Sequence, residues 1–232
     1  MNAFKVVADF EAALCEYTGA PYAVAVNSCT SALLLCLDYF KQRYAVSTKE
    51  SDLDWIDGVS SRDAIEIPRY TYISVPMQIL NVGLRVAFRD EEWTGIYQLK
   101  PLPIWDAARR FRADMFNKDE FGNAPWENLK KVRFICPSFH WSKILGIQQG
   151  GAILHNDSEA DLILRRMRFD GRSEGVEPKD DSFPVRGWHC YMAPEIAAEG
   201  LVRLSFLPKH NADLPNSDYP DLSKIPLFKA SA

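Results

Sequence analysis

No run in this 232-residue chain approaches the roughly 18 to 20 consecutive apolar residues of a membrane-spanning helix, which argues against an integral helical membrane protein. The N-terminus, MNAFKVVADFEAAL, carries an acid inside its apolar run and no small-residue cleavage signal, so it does not read as a secretory leader. Cysteine is scarce and scattered: Cys15, Cys29, Cys36, Cys136 and Cys190 are odd in number, widely spaced and without a C-x-x-C pair. With only 4 histidines beside them, neither a disulfide framework nor a metal site is indicated. Basic excess is also lacking. The 27 Lys and Arg against 31 Asp and Glu give a net charge of −4, with no sequence-wide phosphate-binding surface and no clear nucleic-acid signal. Internal repeats and low-complexity segments are absent, and 12 Gly and 14 Pro are too few for a collagen-like or disordered chain. What remains is a globular chain of a reducing compartment, read as cytoplasmic, with 47% hydrophobic residues to build a core.

Short apolar strands alternate with amphipathic helices along the chain. Phe4, Val7, Phe10, Leu14 and Tyr17 recur at helical spacing, and Gly19 closes that helix. Tyr22 to Val26 is a β-prone run, broken by Asn27-Ser28-Cys29, after which Thr30 to Tyr44 resumes a helical period. Residues 46–63 are polar and acidic and read as a surface loop or insertion. Strands are expected at Ala64–Ile67, Arg85–Phe88, Leu102–Trp105, Val132–Cys136 and Ala152–Leu154, and helices at Ser74–Asn81, Glu159–Phe169 and Pro194–Phe206. The Pro-, Asp- and Ser-rich stretch from Pro208 reads as an irregular, loosely packed tail over 208–232. The alternation predicts an α/β domain over 1–207 with a mostly parallel sheet, in which ligands gather where strands end.

Three such ends carry polar groups. Asn27-Ser28-Cys29-Thr30 opens a helix, so its amides and the Ser28 and Thr30 hydroxyls form a candidate phosphate seat; plain N-capping is the simpler reading of the turn alone. Asp106, in Ile104-Trp105-Asp106-Ala107-Ala108-Arg109, is followed by two small residues that let something flat approach; the carboxylate could face a positive ring nitrogen or cap the next turn. Lys143, in Ser138-Phe139-His140-Trp141-Ser142-Lys143, lies among aromatic and apolar neighbours just past a strand. Desolvation there lowers a lysine pKa, as a Schiff-base lysine requires, although a snorkelling side chain would look similar.

The segments FEAALCEYTGAPYAVAVNSCTSALLLCL, IPRYTYISVPMQILNVGLRVAFRD, PIWDAARRF, FICPSFHWSKILGIQQGGAILHND and RRMRFDGRSEG, with a weaker GWHCYMAPEIAAEGLVRL, span roughly residues 9–207 in a consistent order. Together they resemble the DegT/DnrJ/EryC1/StrS family of pyridoxal-phosphate (PLP) sugar aminotransferases. The resemblance implies a fold type I large domain with a mostly parallel mixed sheet flanked by helices, and the small C-terminal domain largely absent. It places Lys143 where the family forms a Schiff base with its cofactor, pyridoxal 5′-phosphate. Ser138, with the turn at Ser28, Cys29 and Thr30, falls where the family binds the cofactor phosphate. Asp106 falls on the pyridine nitrogen and Tyr72 on the ring face. Arg109 replaces the family's Gln or His at the phenolic oxygen, and His140 beside the lysine is read as pocket wall.

The sequence departs from the family at Gln148-Gln149-Gly150-Gly151, where G-E-G-G is usual, and at His189 and Tyr191, which replace an asparagine and an arginine. The activity implied is transfer of an amino group from an amino acid to a keto or aldehyde acceptor, a nucleotide-linked sugar by resemblance. The alternatives are another PLP reaction (decarboxylation, elimination or carbon–carbon chemistry) and a non-catalytic scaffold. Partners implied are small-molecule substrates, a second copy in a homodimer with the active site at the interface, and a separate chain as one source of the absent domain.

Overall fold

A computed structural model of the chain describes residues 4–46, 64–117 and 132–229. The loop expected over 46–63 thus lies, apart from the backbone of its first residue, outside the described residues. Helix α1 (Lys5–Thr18) turns Val7, Phe10 and Leu14 inward, and Gly19 ends it with φ 77° and its N–H on Cys15 O. The strand β1 (Tyr22–Val26) then runs into α2 (Cys29–Val46). Strand β2 (Ala64–Pro68), α3 (Ser74–Asn81) and β3 (Arg85–Arg89) form a strand–helix–strand unit whose two strands pair in parallel. The strands β4 (Tyr97–Gln98), β5 (Ile104–Ala107), β6 (Phe134–Pro137) and β7 (Gly151–His155) follow, then α4 (Ser158–Met167), α5 (Pro194–Phe206) and the short α6 (Pro226–Lys229).

The larger sheet is ordered β1-β7-β6-β5-β4. Only β5–β6 is parallel among its four ladders, so the sheet is mixed. Strand β7 opposes both β1 and β6, which therefore point the same way as β5. A bridge between Glu66 and Lys100 links the β2–β3 pair to the chain just after β4. By direction the strands are mostly parallel, while their hydrogen-bonded ladders are mostly antiparallel because β7 is inserted against the grain. Strands β6 and β7 are buried at every residue, as a sheet covered on both faces requires.

The two faces divide the core. Val24, Val26 and Ile153 pack with α2 and α3 residues such as Leu33, Phe40 and Ile79. Ala23, Ala25, Ala152 and Leu154 pack with Phe10 and Leu14 of α1 and Ala197 of α5. The period-two alternation of β1 thus assigns its valines to one layer and its alanines to the other. Gly200 permits α5 to approach α1 closely: a Cβ there would sit 2.7 Å from the Phe10 ring. The buried Glu11 ties α1 to both β1 and α4. It accepts from Ala25 N at 2.8 Å, from Arg165 Nη1 at 2.6 Å and from Arg168.

Two expectations need correction. Asp106 lies within β5 rather than beyond its end, since the strand begins at Ile104 and runs to Ala107. The stretch after Pro208 is largely without regular structure, but it is not loose. Leu222 and Phe228 are buried in the α2-side core, and Leu222 N donates to Arg69 O at 3.0 Å. Phe228 packs edge-on against Phe88 of β3, with ring centroids 5.7 Å apart, so apolar anchors hold a polar stretch.

Candidate active site

The site is built where β1, β5 and β6 point together. Ser28 caps α2: its Oγ accepts from Ser31 N at 3.1 Å, and Ser31 Oγ donates to Asn27 Oδ1 at 2.6 Å. Among the described residues, the amides of Cys29 and Thr30, the first two of the helix, have no acceptor. They point along the positive end of the helix dipole, where an anion is favoured. Thr30 Oγ1 lies 3.0 Å from Ser74 Oγ, which joins the first turns of α2 and α3. The Cys29 side chain turns the other way. Its buried thiol donates to Cys136 O at 3.2 Å, and burial above all raises its pKa well beyond that of an ordinary thiol. Cys29 therefore offers its backbone rather than its sulfur.

Gly151 explains the double glycine. A Cβ at this position would stand 2.4 Å from Cys29 N and 2.6 Å from Ser28 C, so the start of β7 presses directly on the turn that opens α2. Gly151 also bridges to Ser138 at the end of β6, which brings Ser138, 8% exposed, to the same corner. The amide of His140 turns back to Ser138 Oγ at 3.5 Å, the outer limit of a hydrogen bond.

Asp106 is 5% exposed. Its Oδ1 accepts from Ala108 N and its Oδ2 from Tyr97 Oη, each at 2.8 Å, and Tyr97 Oη lies 2.7 Å from Thr71 Oγ1. Burial pushes the carboxyl above the ordinary range. The two hydrogen bonds and the charges of Lys143 and Arg109 work against that rise. Thr71 and Tyr97 were not anticipated. Tyr97 sits on a two-residue strand with no periodicity to mark it, and only its hydroxyl, aimed at a buried acid, reveals its role.

Lys143 follows a tight turn in which its own N–H donates to His140 O at 2.8 Å. Its half-buried amine has no hydrogen-bond or ion-pair partner among the described residues. Burial lowers its pKa, and the positive charge of Arg109 lowers it further, against weaker opposite effects from Asp106 and Cys29. Lys143, Asp106, Arg109 and Cys29 therefore share one electrostatic neighbourhood.

The remaining sequence-read residues divide. Tyr72 is 56% exposed and directly follows Thr71 of the Thr71–Tyr97–Asp106 chain. His140 is exposed and its Nδ1 lies 2.9 Å from Ser142 Oγ, so it belongs to the lysine turn rather than to the buried acid. Arg109 is 8% exposed, but its guanidinium is taken up by the C-terminal stretch: it donates to Tyr219 Oη at 3.0 and 3.2 Å and to Pro215 O and Ser217 Oγ.

The sequence profile of the DegT/DnrJ/EryC1/StrS aminotransferase family matches residues 2–107. The resemblance read from the sequence thus holds over the segment carrying the helix-capping turn, Tyr72 and Asp106. No curated protein matches the chain. Solved structures share its fold. One is PseC of Helicobacter pylori, an aminotransferase involved in the biosynthesis of pseudoaminic acid, with 20% identity, TM-score 0.62, and 88% of this chain and 58% of that one covered. Another is DesV of S. venezuelae in complex with a ketimine intermediate, with 21% identity, TM-score 0.59, and 87% and 57% covered. A third is GDP-4-keto-6-deoxymannose-3-dehydratase (ColD) with bound GDP-perosamine, with 18% identity, TM-score 0.61, and 88% and 61% covered. The chain spans about three fifths of the length of these proteins. The α/β fold is the type I fold of PLP-dependent enzymes, with a mixed sheet between helical layers. Among the described residues no helix is long and apolar enough to cross a membrane.

Proposed function

We propose that the chain binds pyridoxal 5′-phosphate between the start of α2 and Lys143 and acts as an aminotransferase, passing an amino group from an amino acid to the carbonyl carbon of a nucleotide-linked sugar. The observation that carries this reading is a half-buried lysine amine in one electrostatic neighbourhood with a buried carboxylate and with the turn that opens α2, the amine and the first two helix amides having no partner among the described residues. These donors suit each end of the cofactor. The Cys29 and Thr30 amides, with the Ser28, Thr30 and Ser138 hydroxyls, would hold its phosphate. Asp106, kept in place by Tyr97 and Ala108, would hold the protonated pyridine nitrogen, and Tyr72 would cover a ring face. Once bound, the cofactor supplies an electron sink for the bonds at an amino acid's α-carbon. Lys143, whose amine is biased toward the neutral form, serves as nucleophile toward the carbonyl and then as the base that removes and returns the α-proton.

The sugar acceptor is supported by the substrates and pathways named for proteins that share the fold. Elimination is the second reading, favoured by one specific observation: a protein of the same fold is a dehydratase. We read the assembly as a homodimer closing over the site. Trp141, two residues from Lys143 and 71% exposed, is the kind of aromatic surface a second copy would cover. A reducing, cytoplasmic setting fits five free cysteines, two of which, Cys36 and Cys136, have sulfurs 3.8 Å apart without a bond.

The test is covalent trapping. The protein is mixed with PLP, reduced with borohydride, digested and mapped by mass spectrometry, with Lys143→Ala alongside. One cofactor on the Lys143 peptide, and none on the variant, is expected; a label on other lysines only would overturn the reading. Nitrogen-labelled glutamate with a nucleotide-linked keto sugar then separates the two reactions, since only transamination moves the label into the sugar.

A further inference from the structure

The C-terminal stretch crosses the sheet edge beside the site and is fastened there at several points. Arg110 Nε donates to Asp213 Oδ1 at 2.9 Å, and both side chains are largely buried. Leu214 N donates to Arg109 O at 2.9 Å. Asn216 Nδ2 reaches Trp93 O at 2.5 Å, and the rings of Trp93 and Tyr219 lie nearly parallel, 6.5 Å apart. Gly95, at φ 73°, makes room for this passage: a Cβ on it would meet the Asp213 carboxylate at 2.2 Å. Within this segment Pro215, Ser217 and Tyr219 present three neutral oxygens to one guanidinium, that of Arg109.

The acceptors are what make the arrangement informative. An arginine held by a carboxylate has its charge neutralised locally. Arg109 is held by a carbonyl and two hydroxyls, so it is oriented while its full positive charge remains available to its surroundings. Of the charged and titratable groups that face Lys143, namely Arg109, Asp106 and Cys29, Arg109 opposes a charge on the amine while Asp106 and Cys29 favour it.

We propose that Asp213–Tyr219 is a strap that positions Arg109, with Ser217 and Tyr219 as the residues that aim its charge at Lys143. Neither residue reaches the reacting atoms; both act through Arg109. The proposal rests on Lys143 being the reactive lysine, but it concerns the state of that lysine before any cofactor binds.

It is tested on the cofactor-free, full-length protein. Acetylation of Lys143 by trace acetic anhydride is followed against pH by peptide mass spectrometry, in wild type, Arg109→Gln, the double variant Ser217→Ala/Tyr219→Phe, and the combination of all three. Both strap substitutions keep the shape of the side chain and remove only a hydroxyl. Wild-type Lys143 is expected to titrate below the other lysines. Arg109→Gln should move its midpoint upward and so reduce labelling at a fixed pH below the midpoint. The strap variant should move it in the same direction, and the combined variant no further than Arg109→Gln alone. An unchanged Lys143 profile in the strap variant, with thermal melting showing that it is folded, would overturn the proposal, as would additive shifts. Should the double variant melt early, Tyr219→Phe alone decides by the same criteria. Trapping with PLP on the same samples keeps the two readings apart: a lysine that obeys this titration pattern but never takes the cofactor would reject the proposed function and leave the strap standing.

Discussion

Replacing Gly151 with alanine should damage the candidate phosphate seat more than any other one-carbon change in the chain. The added Cβ would lie 2.4 Å from Cys29 N, 2.6 Å from Ser28 C and 2.8 Å from Cys29 Cα, against an ordinary contact distance of 3.4–4 Å. Relief requires the turn and the strand to separate by about 1 Å, and neither side is a flexible side chain. Gly151 is fixed by its register with Val26 in β1 and by the bridge to Ser138, while the turn is fixed by the Ser28 cap. Overpacking in a well-fitted interior costs about 1–3 kcal/mol, and backbone against backbone belongs at the upper end. A loss of about 3 kcal/mol corresponds to roughly 6–12 °C in melting temperature for a domain of this size. A 1 Å displacement of the α2 amides would also lengthen their hydrogen bonds to a bound phosphate, weakening PLP binding by about tenfold or more. Urea denaturation gives the first quantity and fluorescence titration with PLP the second. Gly175→Ala is the control: its φ of 79° carries a conformational cost of about 1–2 kcal/mol, but nothing lies within 4 Å of its new Cβ. A Gly151→Ala protein that lost less than about 1 kcal/mol and bound PLP like wild type would refute the argument, because the contact would then have been relieved without moving the turn.

Glu11→Ala should cost about 3 kcal/mol in chemical denaturation, because it takes from the buried Arg168 guanidinium its buried carboxylate, leaving only the half-exposed Glu174, and leaves Ala25 N–H without its acceptor. Glu11→Gln, which can still accept from Ala25, should lose less; equal losses would show that the charge carries the whole effect and the Ala25 hydrogen bond none of it. Asp106→Asn should melt higher than wild type at neutral pH while binding PLP more weakly. The folded carboxyl has a raised pKa, so between the ordinary value of 3.8 and that raised value the native state holds more protons than the unfolded one, and stability falls as pH rises. The asparagine removes this cost and keeps its partners, since its oxygen can accept from Ala108 and Tyr97 can donate to Thr71 instead. Melting curves across pH would contradict this if the variant were less stable at pH 7 than at pH 4 relative to wild type.

Much of the fold was legible from short-range pattern. Helix α5 runs over the expected residues because Pro194 starts it and its apolar positions recur at helical spacing. Strand β1 was visible as an uninterrupted apolar run, the mark of a strand covered on both faces. The pattern misled at Asp106, where a polar residue was taken to end a strand. The strand continues because Ala108 N–H and Tyr97 Oη satisfy the acid inside the fold. It also misled after Pro208, where isolated apolar anchors such as Leu222 and Phe228 carry no period. In the site, the hydroxyl-rich turn could be read locally, but nothing in the spacing of Lys143 and Asp106 brought them together; only the resemblance did so. Arg109 marks the limit of that route. Its partners lie more than 100 residues away in a stretch the family comparison does not reach, and no local motif records them.

The charges explain why these residues suit an anionic ligand. The carboxyl of Asp106 is buried at one end, opposed by the Arg109 cation and by the first amides of α2. Between the positive field at the helix end and the negative group at the other lies the Lys143 amine, whose pKa burial and the Arg109 charge lower. A ligand with a phosphate at one end, a cationic ring nitrogen at the other and an electrophilic carbon between them would meet a complementary group at each point. After burial, the cation beside that lysine does most to lower its pKa, and it can do so only while held in place. That is why a strap of neutral oxygens around Arg109 fits the site better than a carboxylate would: a carboxylate would hold the arginine equally well and cancel the charge that Lys143 needs.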